Sequence, residues 1–518
     1  MKVQIKPLVD ATTNGSSSEH QANGKDNNQM SNTTFSDHNQ LTNFQKINIE
    51  SQKETINLNY LKEALKDTAL RNQLINKPLT DAGNAECFEL LNQQHLLYCK
   101  TRKKWLMWRN NRWEVVTDGI AHRAAIETIR LRGEAANFCS NKELKGKVEN
   151  WAKQSESLAR RNAMLNTAMH LKTIETSIDR FDLNPYLAGV KNGTLDLQTG
   201  TFRESNREDY ISMQFNVFYD PNAKAPRWIQ FLEEIFDGDK ELIAYIQKAV
   251  GYSITGDTSE QVLFLCCGDG ANGKSVFLSV LSYLLGEHAD NCSFSTFEAN
   301  KRNETANDLA ALKGKRLVTV IETDEDKRLA EARVKSVTGG DLITCRFLFG
   351  EFFSYRPQFK IWMAMNHKPL IKGTDRGIWR RIKLILFNQN FEDRQNPYLI
   401  EELKTELSGI LNWALEGLML WRKERLGTAK AIEEATNEYK SESDLVQQWI
   451  DECVELIPDF NTPCIDAHNS FVEWCKYRGY PFFSFNSFSR AMTKKGFERR
   501  NNGRCREYIG LALTASSH

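Results

Sequence analysis

The distribution of hydrophobic and polar residues divides the chain into regions of different character. Residues 1–52 are rich in Asn, Ser, Gln and Thr and hold few large apolar side chains. This composition predicts a disordered polar tail, because such a segment buries too little surface to offset the entropy lost on ordering. From about Ile56 apolar residues recur with a helical period. Residues 53–215 mix helical segments with short alternating runs, and we expect them to form an α+β accessory domain.

Two hairpins are predicted within this accessory domain. The segment KTRKKWLMWRNNRWEVV (Lys100–Val116) places Trp105, Trp108 and Trp113 around an Arg-Asn-Asn-Arg turn. The segment VKNGTLDLQTGTF (Val190–Phe202) contains Asn-Gly and Thr-Gly turns. The tryptophans could stack on nucleic-acid bases. Aromatic pairs across strands more often build a small core, so we favour the core interpretation.

The remaining pattern predicts three further regions. Residues 216–258 are amphipathic and helical, typical of a collar or lid. Residues 259–426 contain strand-like apolar runs separated by helical or hairpin segments, and this alternation predicts a parallel α/β sheet. The runs are QVLFLCC, LVTVI, KIWMAM and IKLILF. Residues 427–518 are expected to form a final domain that closes with a helix and a hairpin around Asn502.

The first apolar run of the sheet leads into a glycine-rich segment, GDGANGKSV. Its glycines let successive backbone N–H groups point at an anion, and the next helix presents its positive end. Lys274 would reach the β and γ phosphates of a nucleoside triphosphate, and Ser275 would hold Mg²⁺. An ordinary glycine turn is the alternative, which the surrounding strand and helix disfavour. The expected binding residues are Gly268, Asp269, Gly270, Ala271, Asn272, Gly273, Lys274, Ser275 and Val276.

Acidic, amide and basic residues border the other strands. Glu322 is the first residue after the apolar run LVTVI, and Asp324 follows on the same side of the strand. Carboxylates at this position could hold Mg²⁺ and polarise water. A solvated acidic strand end is the alternative, and for Asp324 the two interpretations are balanced. Asn366 ends KIWMAM, where its amide could contact the γ-phosphate. Arg380 and Arg381 could act in cis, serve as an arginine finger for a neighbouring subunit, or form only a surface ion pair.

In their order and spacing these motifs resemble the superfamily 3 helicases, specifically the helicase part of the phage and plasmid primase-helicases related to satellite-phage and poxvirus proteins. The matching segments are GDGANGKS, VTVIETDE, VKSVTGGDLITCRFLFGEFFSYRP, IWMAMNHKP and DRGIWRRIKLILF. Upstream, DAGNAECF and the two hairpins resemble the family's helicase-associated region. Downstream, ESDLVQQWIDEC through REYIGLAL resembles its winged helix. The resemblance covers roughly residues 80–513.

The resemblance implies an AAA+-like P-loop core, assembled as a hexameric ring with ATP between subunits and single-stranded DNA in the channel. It implies roles in ATP and Mg²⁺ binding and hydrolysis for Lys274, Ser275, Glu322, Asn366 and either Arg380 or Arg381. It also places a hairpin in the channel, with its tip near Phe349 and with Lys335 and Arg346 close in sequence. Phe347 and Phe349 could stack on bases there, and core packing is an equal interpretation.

A second candidate DNA surface lies near the C-terminus, where basic residues cluster on the expected helix and wing. A solvated basic face is the alternative, and winged helices also mediate protein contacts. The formal net charge of the chain is only +1, so any DNA-binding surface must be a local cluster of basic residues. The candidate DNA-binding residues of this cluster are Lys494, Lys495, Arg499, Arg500 and Arg504.

Composition narrows the remaining possibilities. No apolar run approaches the roughly twenty residues that span a membrane, and the N-terminus lacks a signal-peptide core, so we expect a soluble cytoplasmic protein without a membrane partner. The eleven cysteines show no zinc-binding or disulfide pattern and are expected to be reduced thiols.

The sequence thus predicts an ATP-dependent replicative DNA helicase of a mobile element that acts on single-stranded and forked DNA, 3′ to 5′ by analogy. We expect no primer synthesis, because a priming domain of about 150 residues does not fit before the accessory domain; a separate primase or polymerase could be a partner. One alternative is a replication initiator or loader that uses ATP only as an assembly switch. A weaker one is a nucleotide-dependent regulator that binds no DNA.

Overall fold

The computed structural model describes residues 59–299, 305–322, 327–348, 350–371, 376–480, 482–501, 503 and 505–514. The expectations for the tail at residues 1–52, and for Asp324, Phe349 and Arg504, lie outside the described residues.

Helices dominate the first described region. A buried arginine, Arg132, ties them together, because its guanidinium donates hydrogen bonds to Asn84 and to the carbonyl oxygens of Leu74 and Pro78. The helices are α1 (Asn59–Ala64), α2 (Thr68–Asn76), α3 (Asp81–Asn92), α4 (Asp118–Ala135), α5 (Lys142–Ser155) and α6 (Leu158–Ala168).

Both predicted hairpins are confirmed. In the first, Trp108 pairs with Trp113 across an antiparallel ladder, and Asn110 and Asn111 make the turn with positive φ values. Trp105 and Trp113 are buried, which confirms the core interpretation for these two, while Trp108 is half-buried. The strands are β1 (Leu96–Cys99), β2 (Lys104–Arg109), β3 (Arg112–Val116) and β4 (Glu175–Thr176), in the order β3-β2-β1-β4, and β5 (Leu187–Val190), β6 (Gly193–Asp196) and β7 (Thr201–Arg203).

The predicted parallel sheet is also confirmed, and it makes the chain a mixed α/β protein. Its strands run in the order β14-β8-β13-β10-β9, and every neighbouring pair is parallel. Phe264 and Leu265 of β8 face opposite sides and both are fully buried, which explains the continuous apolar runs in the sequence. The strands are β8 (Leu263–Cys267), β9 (Ala289–Asn291), β10 (Leu317–Glu322), β13 (Lys360–Met365) and β14 (Ile382–Leu386); β11 (Ile343–Cys345) and β12 (Phe353–Tyr355) form a separate hairpin.

Helices cover both faces of this sheet. The collar segment forms two helices, which break where Asp237 and Gly238 adopt positive φ values. Tyr439 packs against Trp379 in the sheet core, so the helix 430–442, assigned by sequence to the last domain, packs on the sheet instead. The helices are α7 (Pro226–Ile235), α8 (Lys240–Ser253), α9 (Lys274–Leu285), α10 (Thr305–Ala311), α11 (Glu331–Thr338), α12 (Arg376–Trp379), α13 (Leu399–Thr405), α14 (Leu407–Glu424) and α15 (Lys430–Glu442).

The last region is a small α+β unit. Its core contains Trp449, Phe471 and Phe488, and the predicted closing hairpin is present as the antiparallel pair β16–β17. The elements are α16 (Leu445–Cys453), β15 (Val454–Pro463), α17 (Cys464–Tyr477), α18 (Phe485–Lys494), β16 (Arg499–Asn501) and β17 (Arg506–Leu513). Across the described ranges, no helix combines the length and apolarity needed to cross a membrane.

Candidate nucleotide-binding site

The glycine-rich loop between β8 and α9 has a backbone path that its glycines make possible. Gly273 has a φ of +87°, and an added Cβ would lie 2.6 Å from Ile235 Cγ2. At Gly268 an added Cβ would lie 2.3 Å from the carbonyl oxygen of Phe387. Ala271 also adopts a positive φ, and its carbonyl accepts a hydrogen bond from Phe391 N at 2.8 Å. The loop is therefore closely packed on one side by its neighbours.

Lys274 begins α9 and is almost completely buried at the base of the loop. Its Nζ donates to the carbonyl oxygens of Gly268 at 2.5 Å and Asp269 at 3.1 Å, and to Asn272 Oδ1 at 2.9 Å. Asn272 is held in turn, because its Nδ2 donates to Phe387 O at 3.0 Å. Burial lowers the pKa of the Lys274 ammonium below its ordinary value. A phosphate oxygen would offer this ammonium a charged acceptor in place of these neutral ones.

Glu322 and Asn366 reach the same edge of the sheet as the loop. Glu322 pairs with Met365 of β13, and Met365 pairs with Cys267 of β8. Gly268 and Asn366 are the next residues after two of these strands. Because the carboxyl ends of parallel strands share one edge, the acid, the amide and the loop are neighbours there.

These groups line one cavity of about 410 Å³. Of the expected binding residues, those from Gly270 to Val276 line it, together with Glu322 and Asn366. Gly268 and Asp269 do not line it, and they contribute instead through their carbonyl contacts with Lys274.

Sequence reasoning missed the opposite wall of this cavity. That wall comes from α7 and from the segment between β14 and α13. The polar stretch FNQNFEDRQNP between a strand and a helix was the available signal for the second part. The residues missed include Arg227, Phe231, Ile235, Phe391, Arg394 and Asn396.

The two candidate finger arginines lie away from this cavity. They precede β14, whose first residue, Ile382, pairs with the first residue of β8. At ~3.3 Å per residue, a five-residue strand separates them from the loop edge by roughly 15 Å. Arg381 is buried and donates to Thr338 Oγ1 at 3.1 Å. Arg380 is exposed and donates to Gln261 Oε1.

The cavity's composition fits a nucleoside triphosphate with Mg²⁺. Ser275 is exposed at the first turn of α9, and its hydroxyl and the Glu322 carboxylate supply the oxygen ligands that Mg²⁺ prefers. In the ranges that the structure describes, no group of three or more His, Cys, Asp or Glu residues forms a metal site by itself. A magnesium ion here would therefore share its coordination with phosphates.

The candidate DNA-binding residues lie elsewhere. Arg346 is exposed near the β11–β12 connection and lies over Phe352, 4.8 Å from its ring centroid. Lys335 lies on α11, and Phe347, which is 49% exposed, stacks on Phe353.

Near the C-terminus, Lys494, Arg499 and Arg500 are exposed. Lys495 differs from them, because its Nζ forms an ion pair with Asp444 at 2.7 Å and a hydrogen bond with Gln447 Oε1 at 2.8 Å.

Two family models match the chain. Residues 85–237 match the model described as D5 N terminal like, and residues 266–381 match a family of unknown function, DUF5906. The first match covers most of the helical region and both hairpins, and the second covers three strands of the sheet and the glycine-rich loop.

Proteins of large DNA viruses are similar in sequence. A protein of Acanthamoeba polyphaga mimivirus named "Putative helicase" is 27% identical over 414 residues, which is 72% of this chain and 43% of that protein. A protein of African swine fever virus named "Putative primase" is 26% identical over 328 residues, 57% of this chain and 34% of that protein. The chain therefore spans less than half the length of these relatives.

A solved structure, the apo NrS-1 C-terminal region, aligns with a TM-score of 0.48 and 14% identity, covering 83% of this chain and 99% of that chain. The sequence matches confirm the resemblance to the primase-helicase family: residues 85–237 match the D5 N terminal like model, and the similar proteins of large DNA viruses are named as putative helicases and primases.

Proposed function

We propose that the chain is an ATP-dependent replicative DNA helicase of a virus, phage, plasmid or other mobile element. The observation that carries this proposal is the convergence of Lys274, Ser275, Glu322 and Asn366 on one cavity at the carboxyl edge of a parallel sheet. A glycine-rich loop, an acid and a polar amide in this arrangement are the parts that triphosphate hydrolysis requires.

Each group has a role that its position supports. Lys274 and the loop N–H groups would hold the β and γ phosphates, because they lie at the positive end of α9. Glu322 would orient and polarise the attacking water, and Asn366 would contact the γ-phosphate or that water. Mg²⁺, when bound at Ser275 and Glu322, would neutralise charge on the β and γ phosphate oxygens.

Completion of this site by a neighbouring subunit is part of the proposal. Neither Arg380 nor Arg381 lines the cavity of its own chain, so a finger arginine would have to act on the cavity of another copy. Arg380 is the better candidate, since Arg381 is buried and hydrogen-bonded to Thr338. We therefore propose a closed ring, a hexamer by family analogy, with ATP at the subunit interfaces.

The proposed substrate is single-stranded and forked DNA, translocated 3′ to 5′ by family analogy. The β11–β12 hairpin would face the channel, and the C-terminal unit would act as a winged helix that contacts duplex DNA. A separate primase or polymerase would be its partner. The names of the viral relatives support a role in replication.

Steady-state ATPase with and without single-stranded DNA, paired with forked-duplex unwinding, tests the proposal. Wild type should show DNA-stimulated turnover and unwinding. Lys274→Ala and Arg380→Ala should each lower kcat at least about 100-fold. Arg376→Ala, which removes another exposed arginine of the same segment, is the matched control and should retain activity.

Mixing the two inactive variants tests whether sites are shared. A ring containing both would include interfaces with Lys274 from one subunit and Arg380 from the other, so part of the activity should return. ATP binding without DNA stimulation or unwinding would contradict the motor and favour an initiator that uses ATP only as an assembly switch. Full activity of Arg380→Ala would contradict the assignment of the finger.

A further inference from the structure

A second and larger cavity lies in the N-terminal region beside the tryptophan hairpin. This hairpin cavity encloses about 1100 Å³ and is lined by residues of the hairpin, of the segment 172–180 and of the segment 203–210. Single small-molecule sites usually measure roughly 300–1,000 Å³. The hairpin cavity therefore suits several linked groups better than one small ligand.

The hairpin cavity has two aromatic walls. Trp108 is the one tryptophan of the hairpin that is only half-buried, and it lines the cavity. Its orientation is fixed by Trp113, which packs edge-on with ring centroids 5.6 Å apart. Tyr210 supplies the second ring, with the Arg180 guanidinium 4.2 Å from its centroid. Flat, fixed aromatic faces are the surfaces on which single-stranded bases stack.

The same cavity holds cationic side chains that no carboxylate neutralises. Arg207 donates to the neutral amide of Gln94 at 3.1 Å, and Arg180 donates to the Tyr210 hydroxyl at 2.6 Å. Among the contacts of the described residues, neither arginine has a carboxylate partner. Lys172 also lines the cavity and is exposed. Such uncompensated positive charge in a concave surface attracts phosphate groups.

Acidic residues reduce this charge only in part. Arg203 also lines the cavity, but it is paired with Asp209 at 2.8 Å. Glu204 and Glu208 line the cavity as well. Lys172, Arg180 and Arg207 still leave an excess of positive charge over these two carboxylates.

A basic turn continues the cationic surface beyond the cavity. Arg102 and Lys103 in the β1–β2 turn, and Lys104 at the start of β2, are exposed, and no contact among the described residues places any of the three in an ion pair. The turn is attached to the segment that carries Arg180, because Ile178 N donates to Thr101 Oγ1 at 3.2 Å. Phosphates of a strand leaving the cavity would meet this turn.

We propose that the hairpin cavity binds a segment of single-stranded DNA, with a base stacked on Trp108 and phosphates held by Arg180, Arg207 and the basic turn. This site is separate from the nucleotide cavity and contains none of its residues. The proposal goes beyond the motor function and does not require that the chain hydrolyse ATP, so it is tested without nucleotide.

The test is the salt dependence of binding of a fluorescent oligo-dT to the full chain, measured by anisotropy. Each lost phosphate contact lowers the slope of log K against log salt by about 0.7 for a single strand. The double variant Arg180→Gln/Arg207→Gln should therefore lower the slope by about 1.4. Trp108→Leu keeps an apolar group against Trp113 and should weaken binding about tenfold with little change in slope.

Arg123→Gln is the matched control, since Arg123 is an exposed arginine of the same region that does not line the cavity. Thermal transitions and ATPase without DNA should be unchanged in the arginine variants. An affinity and slope equal to those of Arg123→Gln would overturn the proposal. Displacement of the oligonucleotide by equimolar dTMP would also overturn it, because it would reveal a mononucleotide site. Failure of the proposed ATPase or unwinding activity would leave the result of this binding test unaffected, because the test uses no nucleotide.

Discussion

A single buried side chain, Arg132, secures the ends of two helices in the N-terminal region. Its Nη1 donates to Asn84 Oδ1 at 2.7 Å, and its Nε and Nη2 reach the carbonyl oxygens of Leu74 and Pro78. Trp151 Nε1 donates to the same Asn84 oxygen at 3.0 Å. These carbonyls lie at or just beyond the end of α2, where no further helix supplies donors. The DAGNAECF segment therefore includes a structural asparagine.

Arg132→Ala should destabilise this region by roughly 2–4 kcal/mol, because it leaves several buried acceptors without a donor. The measurement is thermal unfolding followed by calorimetry, in which the first transition should fall by several degrees. Arg130→Ala is the control: its ion pairs with Glu127 and Glu156 are exposed and should contribute little. Equal shifts for the two variants would contradict the role assigned to Arg132.

At the scale of elements, the local pattern of apolar and turn residues was sufficient to predict the sheet and both hairpins. Continuous apolar runs specify strands buried on two faces, and Asn-Asn and Asn-Gly turns specify hairpins. The same pattern could not place the helix 430–442, because a helical apolar stripe does not specify the core against which it packs; in the structure Ala435 and Tyr439 lie in the sheet core. Arg227 and Arg394 were missed because they reach the cavity from segments that lie outside every motif.

The tryptophan hairpin carries an acid-sensitive ion cluster. Burial alone would raise the pKa of Glu114, but Arg112, Arg109 and a hydrogen bond from Asn110 outweigh it and lower that pKa. Glu114 lies 2.9 Å from Arg112, and its side chain is 12% exposed. Because the folded-state pKa lies below the unfolded value of about 4.3, the stabilisation is present above that pH and is lost as the pH falls through the folded value.

Glu114→Gln should therefore lower stability by roughly 1 kcal/mol at pH 7, and its difference from wild type should shrink as the pH falls from 7 to about 3, because the Glu114 carboxylate is progressively protonated. Thermal unfolding of both proteins across this range measures the difference. Glu149→Gln removes an exposed carboxylate that pairs with Lys145, and it should show almost no difference at either pH. A Glu114→Gln defect of the same size at every pH in this range would indicate lost packing rather than lost charge.

At the scale of the whole molecule, charge is organised locally rather than globally. The net charge of +1 gives no long-range attraction for DNA, so binding depends on where basic side chains are left unpaired. Two adjacent lysines differ in whether their side chains are paired. Lys494 is exposed, and no contact among the described residues gives it an ion pair, whereas Lys495 is held by Asp444 and Gln447.

Lys494→Ala and Lys495→Ala should consequently have different effects, although the two residues are neighbours. Loss of Lys494 should lower the salt slope of duplex DNA binding by about 0.9, since one phosphate contact disappears. Loss of Lys495 should leave that slope nearly unchanged and lower the stability of the C-terminal unit by about 1 kcal/mol, because the ion pair joining α18 to α16 is lost. Anisotropy titrations between roughly 50 and 200 mM salt, a range over which affinity that depends on phosphate contacts falls steeply, together with thermal unfolding, would distinguish the two. Equal slope changes for both variants would show that Lys495 leaves Asp444 to contact DNA, and the local assignment of charge would then be wrong.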